Sequence, residues 1–268
     1  DLVRSRGLGD VYKRQLHANE MSTYFGKSQG CFLLFNVKTQ KFEKTLGESN
    51  CKERLPACST FKVPLAVMAI DAGIVKDETQ IFKWDGKKRF REEWNKNQTP
   101  KTWMRESTVW VSQELTPKLG KEKFQKYLND FQYGNADINS GLTTAWLQSP
   151  DDKNGALKIN AYEQVDFMKK LWSSTLPSSK ESQSITRDLT YLETSPAGFK
   201  LSGKTGSGFY KKDRNLKIGW FIAHVSSGDK EYIAVANLHD VSKPGNTEAG
   251  GPRVREIMKK ILRDGELW

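Results

Sequence analysis

Residues 57–73 read ACSTFKVPLAVMAIDAG, a short polar turn that runs directly into an apolar segment. The segment is apolar on every side and long enough for a helix, in which Pro64 is tolerated only in the first turn and Gly73 marks the end. The pattern therefore predicts a buried helix. Ser59 and Lys62 stand three residues apart at its start, so their side chains project into nearly the same space.

The pair of Ser59 and Lys62 has two interpretations. In the structural one, Ser59 or Thr60 caps the helix, and Lys62 extends its alkyl stem along apolar surface towards water. In the chemical one, partial desolvation lowers the pKa of the lysine, and its neutral amine takes the proton of a serine that is otherwise a poor nucleophile. The S-x-x-K motif is short and common, so on its own it favours the structural interpretation.

Strand patterns occur near both ends of the chain. A hairpin is predicted from Gly30, and three strands beginning at Phe199, Leu216 and Lys230 predict a meander. Residues 252–265 then predict an amphipathic helix. The sheet is therefore expected to be completed by both ends of the chain.

The middle of the chain has a different character. From about Asp77 to Thr194 the sequence carries helical periodicity interrupted by loops, and residues 148–156, QSPDDKNGA, are the most loop-like part. These patterns predict an α/β (α+β) fold, with an antiparallel sheet built from both chain ends, flanked by helices, and a helical lobe inserted in the middle. A site where sheet and lobe meet would combine residues that are distant in sequence.

A second motif, KTG at residues 204–206, lies in one of the predicted strands. Its lysine and threonine can hold a carboxylate, and its glycine lets a ligand approach the backbone. S-x-x-K followed by K-T-G at this separation matches the signature of the penicillin-recognising serine enzymes. STV at residues 107–109 and YGN at residues 133–135 narrow the match further.

Together with STFK at residues 59–62, these motifs make the chain resemble a class D (OXA-type) serine β-lactamase over nearly all its length after about residue 20. The resemblance implies the transpeptidase fold of penicillin-binding proteins and serine β-lactamases, with residues 16–268 as a single catalytic domain. It also implies hydrolysis of β-lactam antibiotics through a serine acyl-enzyme, which confers resistance, in a periplasmic or secreted protein.

The family pattern implies roles for individual residues. Ser59 would be the acyl-forming nucleophile. Lys62, carboxylated by carbon dioxide, would be the general base, with no metal and no diffusible cofactor. Ser107 would pass a proton to the leaving lactam nitrogen. Val109 would pack against the carbamate and Trp146 would donate a hydrogen bond to it, although Trp146 taken alone is equally well explained as a core aromatic residue.

The resemblance also implies a binding site for the substrate carboxylate. Lys204 and Thr205 would bind it, with Gly206 beside the substrate. An arginine near the C-terminal helix usually completes such a site. Arg253 and Arg255 both fit this position, and Arg253 is preferred.

Backbone N–H groups of Ser59 and Ser207 would form the oxyanion hole, which stabilises charge as the tetrahedral intermediate develops. Tyr133 and Asn135 would shape the pocket wall. A structural role explains these two residues at least as well, so no chemistry is assigned to them.

The chain departs from the family pattern at residues 148–156, because members commonly run more directly from the tryptophan-leucine pair to a leucine-lysine-isoleucine stretch. The extra residues could displace Trp146 and so weaken the carbamate site.

The cysteines and the first residues bear on the compartment. Cys31 and Cys51 lie in neighbouring predicted strands and could form a disulfide in an oxidising compartment, whereas Cys58 has no predicted role. Residues 5–15, SRGLGDVYKRQ, resemble the in-frame translation of a sequencing adapter, so residues 1–15 are excluded from the fold prediction. A true N-terminus, with or without a secretory signal, is then expected upstream of about His17.

Other functions share part of the pattern. A β-lactam sensor domain would be acylated without turnover, and a cell-wall D,D-peptidase would use the same serine, lysine and KTG chemistry. The net charge of +11 raises nucleic acid as a partner. However, the lysines are scattered and accompany no binding motif, so a small-molecule β-lactam is the expected partner. No apolar run approaches the length of a membrane span, and no cysteine or histidine spacing is typical of a metal site.

Overall fold

The structure is a computed structural model that describes residues 19–210, 214–242 and 248–268. The adapter-like residues 5–15 lie outside this described part. The strands are β1 (Gln29–Asn36), β2 (Lys41–Leu46), β3 (Leu55–Pro56), β4 (Lys158–Ile159), β5 (Tyr191–Thr194), β6 (Lys200–Phe209), β7 (Lys217–Ser227) and β8 (Lys230–His239). Six of them form one antiparallel sheet in the order β2-β1-β8-β7-β6-β5, and β3 pairs with β4 in a separate ladder.

Helical elements fill the sequence between β2 and β5 and follow β8. The α-helices are α1 (Glu48–Lys52), α2 (Lys62–Asp71), α3 (Pro100–Glu106), α4 (Val109–Leu119), α5 (Lys121–Asp130), α6 (Ala161–Trp172), α7 (Lys180–Leu189) and α8 (Gly250–Asp264), and residues 19–25 are also helical. Short 3-10 turns occupy Cys58–Phe61, Glu92–Trp94 and Ala145–Leu147. None of the helices in the described part of the chain combines the length and apolar character needed to span a bilayer.

The two ends of the chain meet inside the sheet, because β1 pairs along its whole length with β8. The N-terminal hairpin thereby joins the C-terminal meander, and the helical segments between them form the inserted lobe. The predicted antiparallel sheet built from both chain ends, with flanking helices, is confirmed.

Alternation along β7 shows how the sheet separates two cores. Trp220 and Ile222 face the helical lobe and pack in the larger core, whereas Phe221 and Ala223 face α8 and pack in the smaller one with Met258. Successive side chains of a strand point to opposite faces, so a strand covered on both faces is apolar at nearly every position.

The predicted buried helix is α2. Its residues are buried from Lys62 to Ala69, Pro64 lies in its first turn, and Gly73 takes a positive φ of 70° just beyond its end. The residue that caps its N-terminus is Phe61, which makes no side-chain cap hydrogen bond. The alternative in which Ser59 caps this helix therefore does not hold.

Two local features differ from the sequence expectation. Residues 99–115, TPKTWMRESTVWVSQEL, carry a continuous helical pattern, but the structure divides them between α3 and α4, because Ser107 adopts a left-handed conformation with φ 60° and ends α3. Cys51 lies in α1 and not in a strand, yet it forms the predicted disulfide with Cys31 in β1. Amphipathic periodicity marks buried faces, but it does not reveal a single left-handed residue between two helices.

Candidate active site

Ser59 lies in the 3-10 turn Cys58–Phe61, which leads into α2 and packs against β6. A Cβ atom on Gly206 would lie 3.2 Å from the Cβ of Cys58, so the glycine allows the strand to approach this turn closely. Lys62, the first residue of α2, places its Nζ 3.4 Å from the Oγ of Ser59. The serine and lysine of the S-x-x-K motif therefore meet as predicted.

Lys62 is 0% exposed, which is rare for a lysine. Burial lowers its pKa well below the ordinary value, the charge of Lys204 acts in the same direction, and Cys58 opposes them. Burial therefore shifts Lys62 towards its neutral amine, and a neutral amine can act as a base or react with an electrophile.

Trp146 packs against the turn that leads into Lys62. Its ring stacks on Phe61, which directly precedes Lys62, with centroids 5.0 Å apart and planes inclined by 26°. Trp146 is 0% exposed, and its Nε1 donor has no hydrogen-bond partner among the described residues. Buried donors are nearly always paired, so this indole N–H has hydrogen-bonding capacity for a further acceptor.

Lys204 and Ser107 form a second pair. The Nζ of Lys204 donates hydrogen bonds to Ser107 Oγ at 3.0 Å and to the carbonyl oxygen of Thr205 at 2.9 Å. Burial lowers the pKa of Lys204 to about 7, with the charges of Arg91 and Arg255 acting in the same direction. The left-handed backbone at Ser107 brings its side chain to the strand that carries the KTG motif.

A cavity of about 530 Å³ opens over these groups. Ser59, Ser107, Thr205 and Ser207 contribute hydroxyl groups to its lining, Arg91 and Lys217 contribute cations, and other side chains are apolar. These apolar lining residues include Val109, Phe90, Trp94, Leu147 and Phe209. The site combines the Ser59 hydroxyl with the buried Lys62 amine, and the Ser107 hydroxyl with Lys204. The glycine of the KTG motif lets a ligand approach the backbone of β6. Such an arrangement suits acyl transfer.

Comparison with known proteins decides the family. The penicillin binding protein transpeptidase domain family matches residues 30–263. The β-lactamase OXA-1 of Escherichia coli is 41% identical over 239 residues, which is 85% of this chain and 84% of that protein. The chain belongs to the class D β-lactamase family. OXA-48 of Klebsiella pneumoniae is 37% identical over 90% of this chain and 85% of its own length. The solved structure of the class D β-lactamase BAT-2 has a TM-score of 0.80 at 31% identity, covering 92% of this chain and 96% of that one.

Residues 148–156, expected from the sequence to be an insertion that could displace Trp146, leave this side chain in the core. Ala145, beside Trp146, accepts a hydrogen bond from Leu157 N at 2.9 Å, and Leu157 in turn accepts one from Ala57 N at 3.1 Å. These backbone bonds tie both ends of the insertion to the turn that carries the nucleophile. The extra residues therefore loop outwards, and Trp146 remains fully buried.

The two candidate arginines point away from the Ser59 cavity. Arg253 donates to both carboxylate oxygens of Asp240, at 3.0 and 3.1 Å, and to Ser28 Oγ at 3.0 Å. It is not among the residues that line the cavity. Arg255 pairs with Glu193 and lines a neighbouring small cavity together with Lys204. Arg253 does not share a cavity with Lys204, and Arg255 shares only the small neighbouring cavity with that lysine.

Ser207 and Gly206 lie on β6 opposite the nucleophile. The Oγ of Ser207 accepts a hydrogen bond from Gly251 N at 2.9 Å, so this side chain holds the first turn of α8. The backbone of β6 stays close to the turn that carries Ser59, as an oxyanion hole made by Ser59 and Ser207 requires.

The YGN segment maintains the fold. Asn135 accepts a hydrogen bond from Lys158 N and donates one to the carbonyl oxygen of Ala156, both at 2.9 Å. Gly134 has φ 57°, and a Cβ atom there would lie 2.1 Å from Lys158 O. The ring of Tyr133 is 0% exposed and packs on Phe61. These contacts favour the structural role that the sequence already supported.

Sequence reasoning missed several residues of the cavity. Arg91 and Phe90 lie in a loop without periodicity, and Phe209 follows the KTG motif on β6. No pattern in one sequence identifies them, because only the tertiary fold brings that loop over the nucleophile. The described residues contain no group of three or more His, Cys, Asp or Glu side chains that could hold a metal ion.

Proposed function

We propose that this chain hydrolyses β-lactams through an acyl ester on Ser59. The observation that carries the proposal is the 3.4 Å approach of Lys62 Nζ to Ser59 Oγ at a lysine that is fully buried. A serine hydroxyl becomes a useful nucleophile only when a neighbouring base takes its proton. Membership of the class D family supports β-lactams as the substrate class.

The surroundings of Lys62 suit a carbamate. A neutral amine reacts with carbon dioxide to form a carbamate anion and releases one proton. The unpaired Nε1 donor of Trp146 would hold that anion, and Val109 would pack against it. Once formed, the carbamate supplies a base for the Ser59 proton and later for a water molecule. An anion in an apolar pocket needs such a donor, because an unpaired buried charge is very costly.

In acylation, Ser59 Oγ would attack the lactam carbonyl carbon while its proton leaves towards the base. Backbone N–H groups of Ser59 and Ser207 would stabilise the developing oxyanion. The C–N bond of the ring then breaks, and the nitrogen needs a proton. Because Lys204 already donates to Ser107 Oγ, the hydroxyl proton of Ser107 can point into the cavity and be transferred to that nitrogen. The proton that the base took from Ser59 would then replace it on Ser107 Oγ, which frees the base for deacylation.

Substrate carboxylate binding is assigned to Lys204 and Thr205, with Gly206 against the substrate edge. Lys204 is the nearest cation to Ser107, and its charged form is needed for this contact. Neither arginine of the C-terminal helix is free for this role. Arg253 is fully engaged by Asp240, and Arg255 is paired with Glu193.

Deacylation distinguishes the enzyme from a sensor. Water would attack the ester carbonyl carbon, the bond to Ser59 Oγ would break, and the proton would return to the serine. A β-lactam sensor or a D,D-peptidase would share the acylation step and differ in the fate of the ester. The buried, unpaired donor of Trp146 favours the hydrolase, because a stable carbamate is the group that would activate that water.

A direct test is hydrolysis of a chromogenic cephalosporin with and without added bicarbonate. We expect turnover by the wild type that bicarbonate increases, and losses of roughly 10³-fold or more in Ser59→Ala and Lys62→Ala. Ser184→Ala, which removes an exposed serine of α7, is the matched control and should keep full activity. One equivalent of acylation without turnover would favour the sensor, and undiminished hydrolysis by Ser59→Ala would exclude a serine ester.

We also infer a periplasmic or secreted location. The disulfide between Cys31 and Cys51 supports an oxidising compartment, since disulfides are rare in reducing ones. Cell fractionation with a cytoplasmic marker enzyme tests this inference, which fails if the chain remains with the marker.

A further inference from the structure

The cavity over Ser59 has an unbalanced positive charge. Arg91 and Lys217 contribute to its lining, and the described residues that line it include no carboxylate. Lys204 lies directly behind Ser107 and is itself only 3% exposed. Cations gathered around a cavity without a counter-charge favour an anionic ligand in that cavity.

The indole ring of Trp94 supports the Arg91 side chain at the cavity. Its guanidinium carbon lies 5.6 Å from the ring centre of Trp94. The indole Nε1 of Trp94 donates to Glu106 O at 2.9 Å, and the carbonyl oxygen of Trp94 accepts from Trp110 Nε1 at 3.0 Å. These two hydrogen bonds connect Trp94 to the end of α3 and the start of α4, on either side of Ser107. Arg91 is therefore positioned relative to the nucleophile by buried contacts, although it lies in a loop.

The guanidinium of Arg91 also has free hydrogen-bonding capacity. Its acidic neighbour is Glu93, whose carboxylate lies 3.8 Å away, and both side chains are about half exposed, at 42% and 50%. An exposed pair of this kind is weak. Arg253, in contrast, is held by the buried carboxylate of Asp240, and Arg255 is paired with Glu193. Of these three arginines, Arg91 is the one that faces the Ser59 cavity.

The relation of Arg91 to Lys204 adds support. The positive charge of Arg91 is, after burial, the first cause that lowers the pKa of Lys204. Two cations that repel each other are both stabilised when an anion binds near them. A planar guanidinium can donate two parallel hydrogen bonds to a carboxylate, which a lysine cannot do.

We propose that Arg91 is a specificity-determining residue that binds a carboxylate of the substrate. This inference rests on the proposed β-lactam hydrolysis. The carboxylate has two possible sources, the one on the fused ring next to the lactam and one carried by the acyl side chain of some penicillins.

The test compares second-order rate constants for acylation, measured by mass spectrometry of the intact protein. The substrates are benzylpenicillin and the penicillin that differs from it by one added carboxylate on the side chain. The variants are Arg91→Gln and the matched control Lys88→Gln, which removes an exposed cation from the same loop outside the cavity. We expect a loss of about 10-fold to 100-fold in Arg91→Gln, typical of a lost charge-assisted hydrogen bond, and less than about 2-fold in the control.

The two substrates separate the two sources. An equal loss on both substrates assigns Arg91 to the ring carboxylate, and a loss confined to the dicarboxylate substrate assigns it to the side chain. Equal rate constants for Arg91→Gln and Lys88→Gln on both substrates overturn the inference while leaving the proposed function intact. Failure of the wild type to be acylated at Ser59 overturns the proposed function and this inference with it.

Discussion

At the scale of single residues, the central feature is a lysine that the fold removes completely from water. Lys62 is 0% exposed, and the described groups that affect its charge most are another cation, Lys204, and the thiol of Cys58. The thiol is itself buried, which raises its pKa to about 12, so it supplies no anion near neutral pH. No described residue offers Lys62 a counter-ion. Burial of this lysine therefore lowers the free energy of unfolding, and it also favours the reactive neutral amine.

The stability of bicarbonate-free protein should show this cost. The folded-state pKa of Lys62 is lowered, so between that pKa and 10.5 the unfolded chain binds one more proton than the folded chain. Its contribution therefore makes the free energy of unfolding rise with pH between its folded pKa and 10.5. We expect Lys62→Met to reduce that slope and to raise the free energy of unfolding at pH 7 by roughly 1–2 kcal/mol.

Urea unfolding at several pH values measures both quantities. Lys88→Met removes an exposed lysine and is the control, which should leave the slope unchanged. A slope in Lys62→Met equal to that of the wild type would show that this lysine is solvated and charged in the folded protein.

Trp146 allows a prediction about a single hydrogen-bond donor. Trp146→Phe keeps an aromatic ring against Phe61 and removes the unpaired N–H. Since a hydrogen bond to a charged group contributes about 1.5–3 kcal/mol, the bicarbonate concentration for half-maximal activity should rise about 10-fold to 100-fold. Trp103→Phe removes a donor that is bonded to Ser112 and should lower stability without changing the bicarbonate requirement. A bicarbonate titration of hydrolysis tests the pair, and equal requirements for both variants contradict the assigned role.

At the scale of elements, the site depends on the close approach of α8 to β6 and β7. A Cβ atom on Gly250 would lie 2.2 Å from Ile218 O, and one on Gly251 would lie 2.8 Å from Gly206 O. The helix therefore begins directly against β7 and against β6, which carries the KTG motif. Ser207 bonds to the same first turn, so α8 and β6 fix each other's position.

Gly250→Ala should separate these elements. The added methyl group meets backbone atoms that cannot rotate away, and overpacking of this kind costs about 1–3 kcal/mol. Gly265→Ala, at the other end of the same helix, meets atoms no closer than 3.5 Å and is the control. Thermal unfolding should show a lower Tm for Gly250→Ala only. The same Tm in both variants would mean that the helix shifts without cost.

The sequence predicts the elements that local interactions determine better than those that depend on contacts between distant segments. The buried helix after Ser59 and five strands of the sheet follow from local periodicity and from Pro64 and Gly73, and the structure confirms them. The sixth strand, β5, lies in the segment for which the sequence predicts helices. Local periodicity does not predict the break at Ser107 or the glycine contacts of α8, because both depend on which surfaces meet in the folded chain. Arg253 illustrates the limit, since its buried partner Asp240 lies just beyond β8 and leaves no local pattern.

At the scale of the whole molecule, the sheet joins strands from opposite ends of the chain, because β1 pairs with β8. Contacts between such distant segments are costly in loop entropy and stabilise the fold only when formed together. The disulfide between Cys31 and Cys51 joins β1, which pairs with β8, to α1 and spans 20 residues. It therefore restrains the chain next to the place where its two ends meet.

Loss of this disulfide should lower global stability. Cross-linking a loop of about this length stabilises a protein by roughly 3 kcal/mol in the chain-entropy description. The double variant Cys31→Ala, Cys51→Ala should unfold at a lower temperature by calorimetry and become insensitive to dithiothreitol. Cys58→Ala, which removes the buried free thiol, should keep the full response to dithiothreitol. An unchanged Tm in the double variant would contradict a stabilising role.

The most direct test of the serine-ester mechanism is time-resolved mass spectrometry of the wild type mixed with benzylpenicillin, followed by peptide mapping. We predict a penicilloyl adduct on the peptide that contains Ser59, which appears within the first turnover and disappears as the substrate is consumed. An adduct that persists after the substrate has gone, an adduct on another residue, or hydrolysis without any adduct would contradict it.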